Sequence, residues 1–125
     1  MMPRLMLVDD DELLRDLLQL RLEIEGWVVS TAPNGAAAIA ALADGGSEPR
    51  PDAVVLDLMM PVMDGMRFMQ TLAGTVLNPP PVVVLSALDK EELRRDLLAA
   101  GVQDVVRKPV DLPVLLSALR NAAGV

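Results

Sequence analysis

The chain has no cysteine, no histidine and no tyrosine, and only two lysines, Lys90 and Lys108, beside nine arginines. Without cysteine there are neither disulfides nor thiolate metal sites. Without histidine there is no imidazole base, no imidazole zinc ligand and no phosphohistidine on this chain. Aromatic residues shrink to Trp27 and Phe68, so the core must be built from Leu, Val, Ala and Met. The longest purely apolar stretch, Ala36 to Ala43, is far short of the roughly 20 residues that span a bilayer. The N-terminus meets acidic residues by position 9, which is no secretory pattern. A soluble cytoplasmic protein without a membrane association is the expectation. Positive charge is scarce as well. A net charge of −7 argues against direct nucleic-acid binding, which needs clustered Lys and Arg, and suits a cation or a basic partner surface.

What is present is enough apolar material for one domain. The 125 residues are 52% hydrophobic, and a single domain over 1–125 is expected. Residues 4–8 read as a buried strand, and 11–25 as an amphipathic helix. That helix buries Leu13, Leu14, Leu17, Leu18, Leu20 and Leu22, with Arg15, Asp16, Gln19 and Glu23 outward. Gly26 stops it. A second strand covers 27–31, and Asn34-Gly35 opens an Ala-rich helix to about 43. The stretch 44–51 is the clearest loop. A third strand spans 53–57, and Asp64 is the expected N-cap of a helix over about 65–73. After Pro79-Pro80-Pro81 comes a fourth strand. Asp89 with Glu92 opens a helix over about 90–100 in the manner of a capping box. Val105-Val106 mark a fifth strand, and Asp111 caps a last helix to about 122.

Strand and helix alternate five times. That order predicts an α/β, flavodoxin-like (βα)5 fold with a doubly wound parallel sheet and strand order 2-1-3-4-5. Ligands of such sheets bind at the carboxyl edge, beside the switch between strands 1 and 3. Four of the strands lead there to candidate site residues. The first is followed by Asp9-Asp10-Asp11, the third ends in Asp57, the fourth in Ser86, and the fifth leads to Lys108-Pro109. Asp9, Asp10, Asp57, Ser86 and Lys108 are therefore expected around one crevice.

Clustered carboxylates are costly. Two of them ~5 Å apart repel by ~0.8 kcal/mol in water and ~3 kcal/mol at an effective dielectric of 20. Lys108 offsets part of this. Oxygen ligands without His or Cys favour a hard cation for the remainder, and Mg²⁺ is the usual one. A cation, an ammonium and a hydroxyl around one carboxylate also make a place to receive a phosphoryl group, with Asp57 as nucleophile.

The set Val8-Asp9-Asp10, Asp57 with Met60-Pro61 and Met63-Asp64-Gly65, Ser86-Ala87 and Lys108-Pro109 resembles the receiver domain of bacterial two-component response regulators. The resemblance covers nearly the whole chain. It implies that Asp57 is the phosphoacceptor, fed by a sensor histidine kinase or a histidine phosphotransfer protein. It implies that Asp10 binds Mg²⁺ directly, Asp9 mainly through water, and Met59 through its backbone carbonyl. Lys108 would pair with the phosphoryl group, Ser86 would be the switch hydroxyl, and Lys108-Pro109 would be cis. Such a module catalyses only its own phosphorylation and dephosphorylation. An output domain or a dimer partner would meet the face formed by the fourth helix, fifth strand and fifth helix.

Two positions depart from the pattern or qualify it. Receivers often carry Tyr or Phe where this chain has Val105, so less movement of that outer face on phosphorylation is expected. Met59 and Leu88, each two residues past a site residue, are expected to screen an acyl phosphate from water and slow its loss. The main alternative is a Mg²⁺-dependent aspartyl-phosphate phosphatase of the haloacid dehalogenase type. Those enzymes place a second Asp two residues after the nucleophile, a spacing met here only by Asp9 and Asp11. Asp11 is expected to cap the first helix. The methionines at 59, 60, 63, 66 and 69 read as packing material.

Overall fold

The computed structural model describes residues 2–43, 50–58, 62–87 and 90–125. The readings placed on Met59, Met60, Pro61, Leu88, Asp89 and most of the 44–51 loop lie outside these residues. The element order is β1 (Arg4–Val8), α1 (Glu12–Ile24), β2 (Val28–Ala32), α2 (Gly35–Ala43), β3 (Ala53–Leu58), α3 (Val62–Thr75), β4 (Val82–Ser86), α4 (Glu91–Ala99), β5 (Asp104–Arg107) and α5 (Leu112–Ala123). The strands form one parallel sheet in the order β2-β1-β3-β4-β5, as the alternation predicts.

Side chains alternate across the sheet and make two cores. Val8, Val54, Leu56 and Val84 join Ala38, Leu42, Phe68, Leu72 and Leu97 on the α2–α3–α4 side. Leu5, Leu7, Val55, Val83 and Leu85 join Leu22, Trp27, Leu115 and Leu119 on the α1–α5 side. Coverage on both faces explains why the inner strands are apolar without interruption. Gly35 sits so close to the Phe68 ring that an added Cβ would lie 2.9 Å from it.

Local chemistry sets the helix ends. The Asp11 carboxylate accepts the Leu14 N–H at 3.1 Å, and Asn34 accepts that of Ala37 at 2.8 Å. Asp111 accepts from Val114 at 3.4 Å. Gly26 and Gly101 take φ of +99° and +104°, where a side chain would be strained. Two starts differ from expectation. α3 begins at Val62, so Asp64 lies inside its first turn, where its charge complements the helix dipole instead of capping it. α4 begins at Glu91, with Lys90 at the N-cap position and no side-chain cap bond.

The larger difference is in α1. Of the leucines expected to face inward, Leu22 is fully buried and Leu18 half-buried. Leu13, Leu17 and Leu20 are 77%, 53% and 56% exposed, and Ile24 is 74% exposed. Arg15 and Gln19 are half-buried instead. The Arg15 guanidinium donates to the Asp9 carbonyl at 2.9 Å, which draws the polar flank of the helix inward. Among the described residues no helix is long and apolar enough to cross a membrane.

Leu115 is completely buried in the same core as Trp27. Leu115→Ala should lower the free energy of unfolding by about 3 kcal/mol, the usual size for a buried leucine truncated to a cavity. Urea titration followed by the single tryptophan measures it. A change below about 1 kcal/mol would contradict the packing of α5 described above.

Candidate site at the carboxyl edge of the sheet

Parallel register brings the strand ends level. Val8 pairs with Leu56, Asp57 with Leu85, Leu58 with Ser86, and Ser86 with Arg107. The next residues, Asp9 and Lys108, are fixed by backbone bonds to neighbouring strands. The Asp9 N–H donates to the Ala32 carbonyl at 3.2 Å, and the Lys108 N–H to the Ser86 carbonyl at 2.9 Å. The Lys108-Pro109 bond is cis.

Three polar side chains in the described residues are buried: Asp9, Asp57 and Ser86. All three are at this edge. The Lys108 ammonium forms an ion pair with Asp57 Oδ1. That oxygen is buried and lacks a well-directed hydrogen bond, so charge rather than hydrogen bonding stabilises it. Asp9 is 1% exposed; its Oδ1 accepts the Asp11 N–H at 2.9 Å, and its Oδ2 is buried without a hydrogen-bond partner. Two facing carboxylates have no proton to share when both are ionised.

Burial therefore pushes the Asp9 carboxyl up from 3.8 to about 6. The Asp11 N–H opposes this, the Asp57 carboxylate adds to it, and Lys108 pulls against it.

A cavity of about 240 Å³ opens onto Asp9, Asp57 and Lys108. Its walls are apolar, chiefly Leu14, Leu17, Leu18, Leu85 and Val110. Of the five residues expected around one crevice, these three share it. Ser86 is buried at the end of β4 and Asp10 is exposed, and neither lines the cavity. Among the described residues no three acidic side chains are grouped as a ready cation cage. A hard cation nevertheless suits the donors present. Asp9 Oδ2 is a buried anionic oxygen lacking a partner, and it faces a second carboxylate. Sequence reasoning did not anticipate the leucine wall of α1 or the Arg15 tether. Arg15 was legible only as a polar residue four positions after the helix cap.

A family profile described as "Response regulator receiver domain" matches residues 5–120. The protein named "Probable transcriptional regulatory protein TcrX" of Mycobacterium tuberculosis is 39% identical over 116 residues, which are 92% of this chain and 47% of that protein. Response regulator MprA of a Mycobacterium species is 38% identical over 117 residues, 94% of this chain and 49% of its own length. The chain thus spans about half the length of these curated relatives. Among solved structures, the Francisella response regulator 1452 receiver domain has a TM-score of 0.82 at 27% identity, covering 98% of this chain and 97% of that one. The receiver domain of sensor histidine kinase PA1611 from Pseudomonas aeruginosa, with a magnesium ion in its active-site cleft, has a TM-score of 0.80 at 23% identity and covers 100% of both chains.

The raised Asp9 carboxyl has a definite sign. The folded state binds the proton more tightly than the unfolded chain does, so ionised Asp9 costs stability above about pH 6 and nothing below about pH 4. Asp9→Asn keeps the oxygen that accepts from Asp11. In chelator-treated protein it should stabilise the fold at pH 7.5 by about 1–3 kcal/mol, with the gain fading as pH falls from 6 to 4. Urea midpoints across that range test it. A loss of stability at pH 7.5 would refute the strain assigned to Asp9.

Proposed function

Because the chain belongs to the response regulator receiver domain family and so to two-component signal transduction, we propose that Asp57 is its phosphoacceptor. The donor is a phosphohistidine on a sensor histidine kinase or a histidine phosphotransfer protein; none of these 125 residues is a histidine that could serve as that donor. The observation that carries the reading is a buried carboxylate, Asp57, paired with an ammonium, Lys108, at the floor of an open cavity.

In the transfer, an Asp57 oxygen attacks phosphorus. An O–P bond forms, the donor N–P bond breaks, and its electron pair stays on the donor imidazole. Lys108, already beside Asp57, compensates charge on the phosphoryl oxygens as they arrive. Burial strips water from Asp57, so that compensation acts in a low dielectric. Ser86, at the end of the neighbouring strand, supplies the hydroxyl expected to meet one phosphoryl oxygen. The leucine wall keeps bulk water from one side of the site. The module would turn over only its own phosphoryl group, and the proposed location is the cytoplasm.

Mg²⁺ is the proposed cofactor; Asp10, Asp57 and the Met59 carbonyl would hold it directly and Asp9 mainly through water. It would screen the facing carboxylates and the incoming phosphoryl charge. The unpartnered Asp9 Oδ2 supports this choice.

The output face is proposed to be α4–β5–α5. Val105 packs beside Val84 on the α4 side of the sheet, and its carbonyl accepts from the Arg94 guanidinium at 2.8 Å. Arg94 also meets Asp104 at 3.3 Å. This exposed pair adds little stability, but with the carbonyl bond it ties α4 to β5 at two points. A tethered face with a stiff β-branched residue shifts less than one with a rotating ring. The haloacid dehalogenase alternative fares worse. Asp11, its required second acid, is engaged as the N-cap of α1.

Two measurements test these readings. With a small acyl-phosphate donor and Mg²⁺, the wild type should gain one phosphoryl group of about 80 Da and Asp57→Asn none; Lys108→Arg should label about tenfold slower or worse. Equal labelling of wild type and Asp57→Asn would remove the central claim. Amide shift changes caused by a phosphoryl mimic should be small over residues 91–107 and grow in Arg94→Ala. Large changes in the wild type would discard the tethered-face reading.

A further inference from the structure

The outer surface of α1 carries an apolar stripe that the phosphoacceptor reading does not use. Leu13, Leu17, Leu20 and Ile24 are all more than half exposed. At 3.6 residues per turn they fall within about 60° of one another, and Leu22, the buried residue of the helix, points the opposite way. Their spacing is four, three, four. That is the a/d seam of a coiled coil, with Leu13 and Leu20 at d and Leu17 and Ile24 at a. Single exposed aliphatic residues are ordinary; three leucines and an isoleucine in heptad register on one short helix are not.

The flanking charges say what fits the seam. Asp16 falls at position g and Arg21 at position e, five residues apart, and both are exposed. In a parallel pair of such helices each Asp16 faces the other copy's Arg21, so two opposite-charge contacts form. In an antiparallel pair the g positions meet each other, which sets Asp16 against Glu23 of the other copy, acid against acid. Leucine at both d positions, with the β-branched Ile24 at one of the two a positions, is also compatible with a two-stranded pair. The helix is complementary to itself in one orientation.

We propose that α1 is a homodimer interface, pairing in parallel with α1 of a second copy of this chain through Leu13, Leu17, Leu20 and Ile24. A 13-residue helix is about 20 Å long, and a seam of that length buries less than the roughly 800 Å² per partner of a standard interface. The dimer is therefore weak and concentration-dependent. Since α1 begins at the carboxyl edge of the sheet, a parallel pair sets both acidic sites at the same end. Leu17 also lines the cavity over Asp57, so pairing and access to that cavity are joined at one side chain. The interface does not depend on whether Asp57 is phosphorylated.

A chain without cysteine makes the test direct. Sedimentation equilibrium from about 10 μM to 1 mM should show reversible dimerisation, on the scale expected of a small interface. Leu20→Glu should abolish it. Asp16→Arg should weaken it about tenfold, and Asp16→Arg with Arg21→Asp should restore it, since the swap rebuilds the pair in the parallel dimer alone. Ile24→Cys should oxidise to a disulfide dimer far faster than the exposed control Ser30→Cys. A monomer at every concentration would overturn the proposal, leaving the stripe to a helix of another protein. So would a dimer that survives Leu20→Glu, which would use another face. Dimerisation with no excess cross-linking of Ile24→Cys, or without rescue by the charge swap, would overturn the parallel arrangement.

Discussion

The ion pair between Asp57 and Lys108 is the constraint around which the rest is arranged. It joins the end of β3 to the residue after β5, across β4. Removing two charges from water costs several kcal/mol per ion, and one contact does not repay that fully. The sheet supplies the difference. Lys108 is held by its backbone bond to Ser86, and Asp57 is locked in register with Leu85. Hydrophobic cores on both faces hold that register, because a one-residue slip of a strand would exchange the side chains fitted to the α1–α5 core with those fitted to the α2–α3–α4 core.

Asp9 shows the opposite economy. It is buried, acidic and incompletely satisfied, and its proton affinity rises accordingly. Asp9 and Asp57 together exceed the one ammonium that faces them. A fold optimised for stability would place an amide at one of these positions. Keeping two carboxylates there leaves the edge receptive to positive charge.

The fold was largely legible because its signals are strong. Uninterrupted apolar strands, five βα repeats and side-chain caps at Asp11, Asn34 and Asp111 each have one physical reading. The convergence of Asp9, Asp57 and Lys108 followed from strand order alone. The rest was less legible for particular reasons. Asp64 looks like a cap, but helical geometry is reached two residues earlier, at Val62. Asp10 and Ser86 reach the same edge by topology, yet alternation turns neighbouring side chains to different surroundings. In α1, counting leucines identifies an amphipathic helix but not which of two apolar stripes faces the sheet. Arg15 decides it by bonding the Asp9 carbonyl, a contact between residues six apart that no periodicity reveals.

A helix with two apolar faces needs an account of why it stays in solution. Each exposed leucine favours nonspecific association, and one residue of the stripe on α1, Leu17, also lines the cavity of the candidate site. A net charge of −7 on 125 residues opposes indiscriminate contact between copies, since like-charged surfaces repel until specific pairs compensate. Asp16 and Arg21 supply such compensation in one relative orientation. Charge therefore acts on this chain at two scales. Within the site it makes a buried edge receptive to cations. Across the surface it leaves an apolar stripe usable only by a partner whose charges are in register.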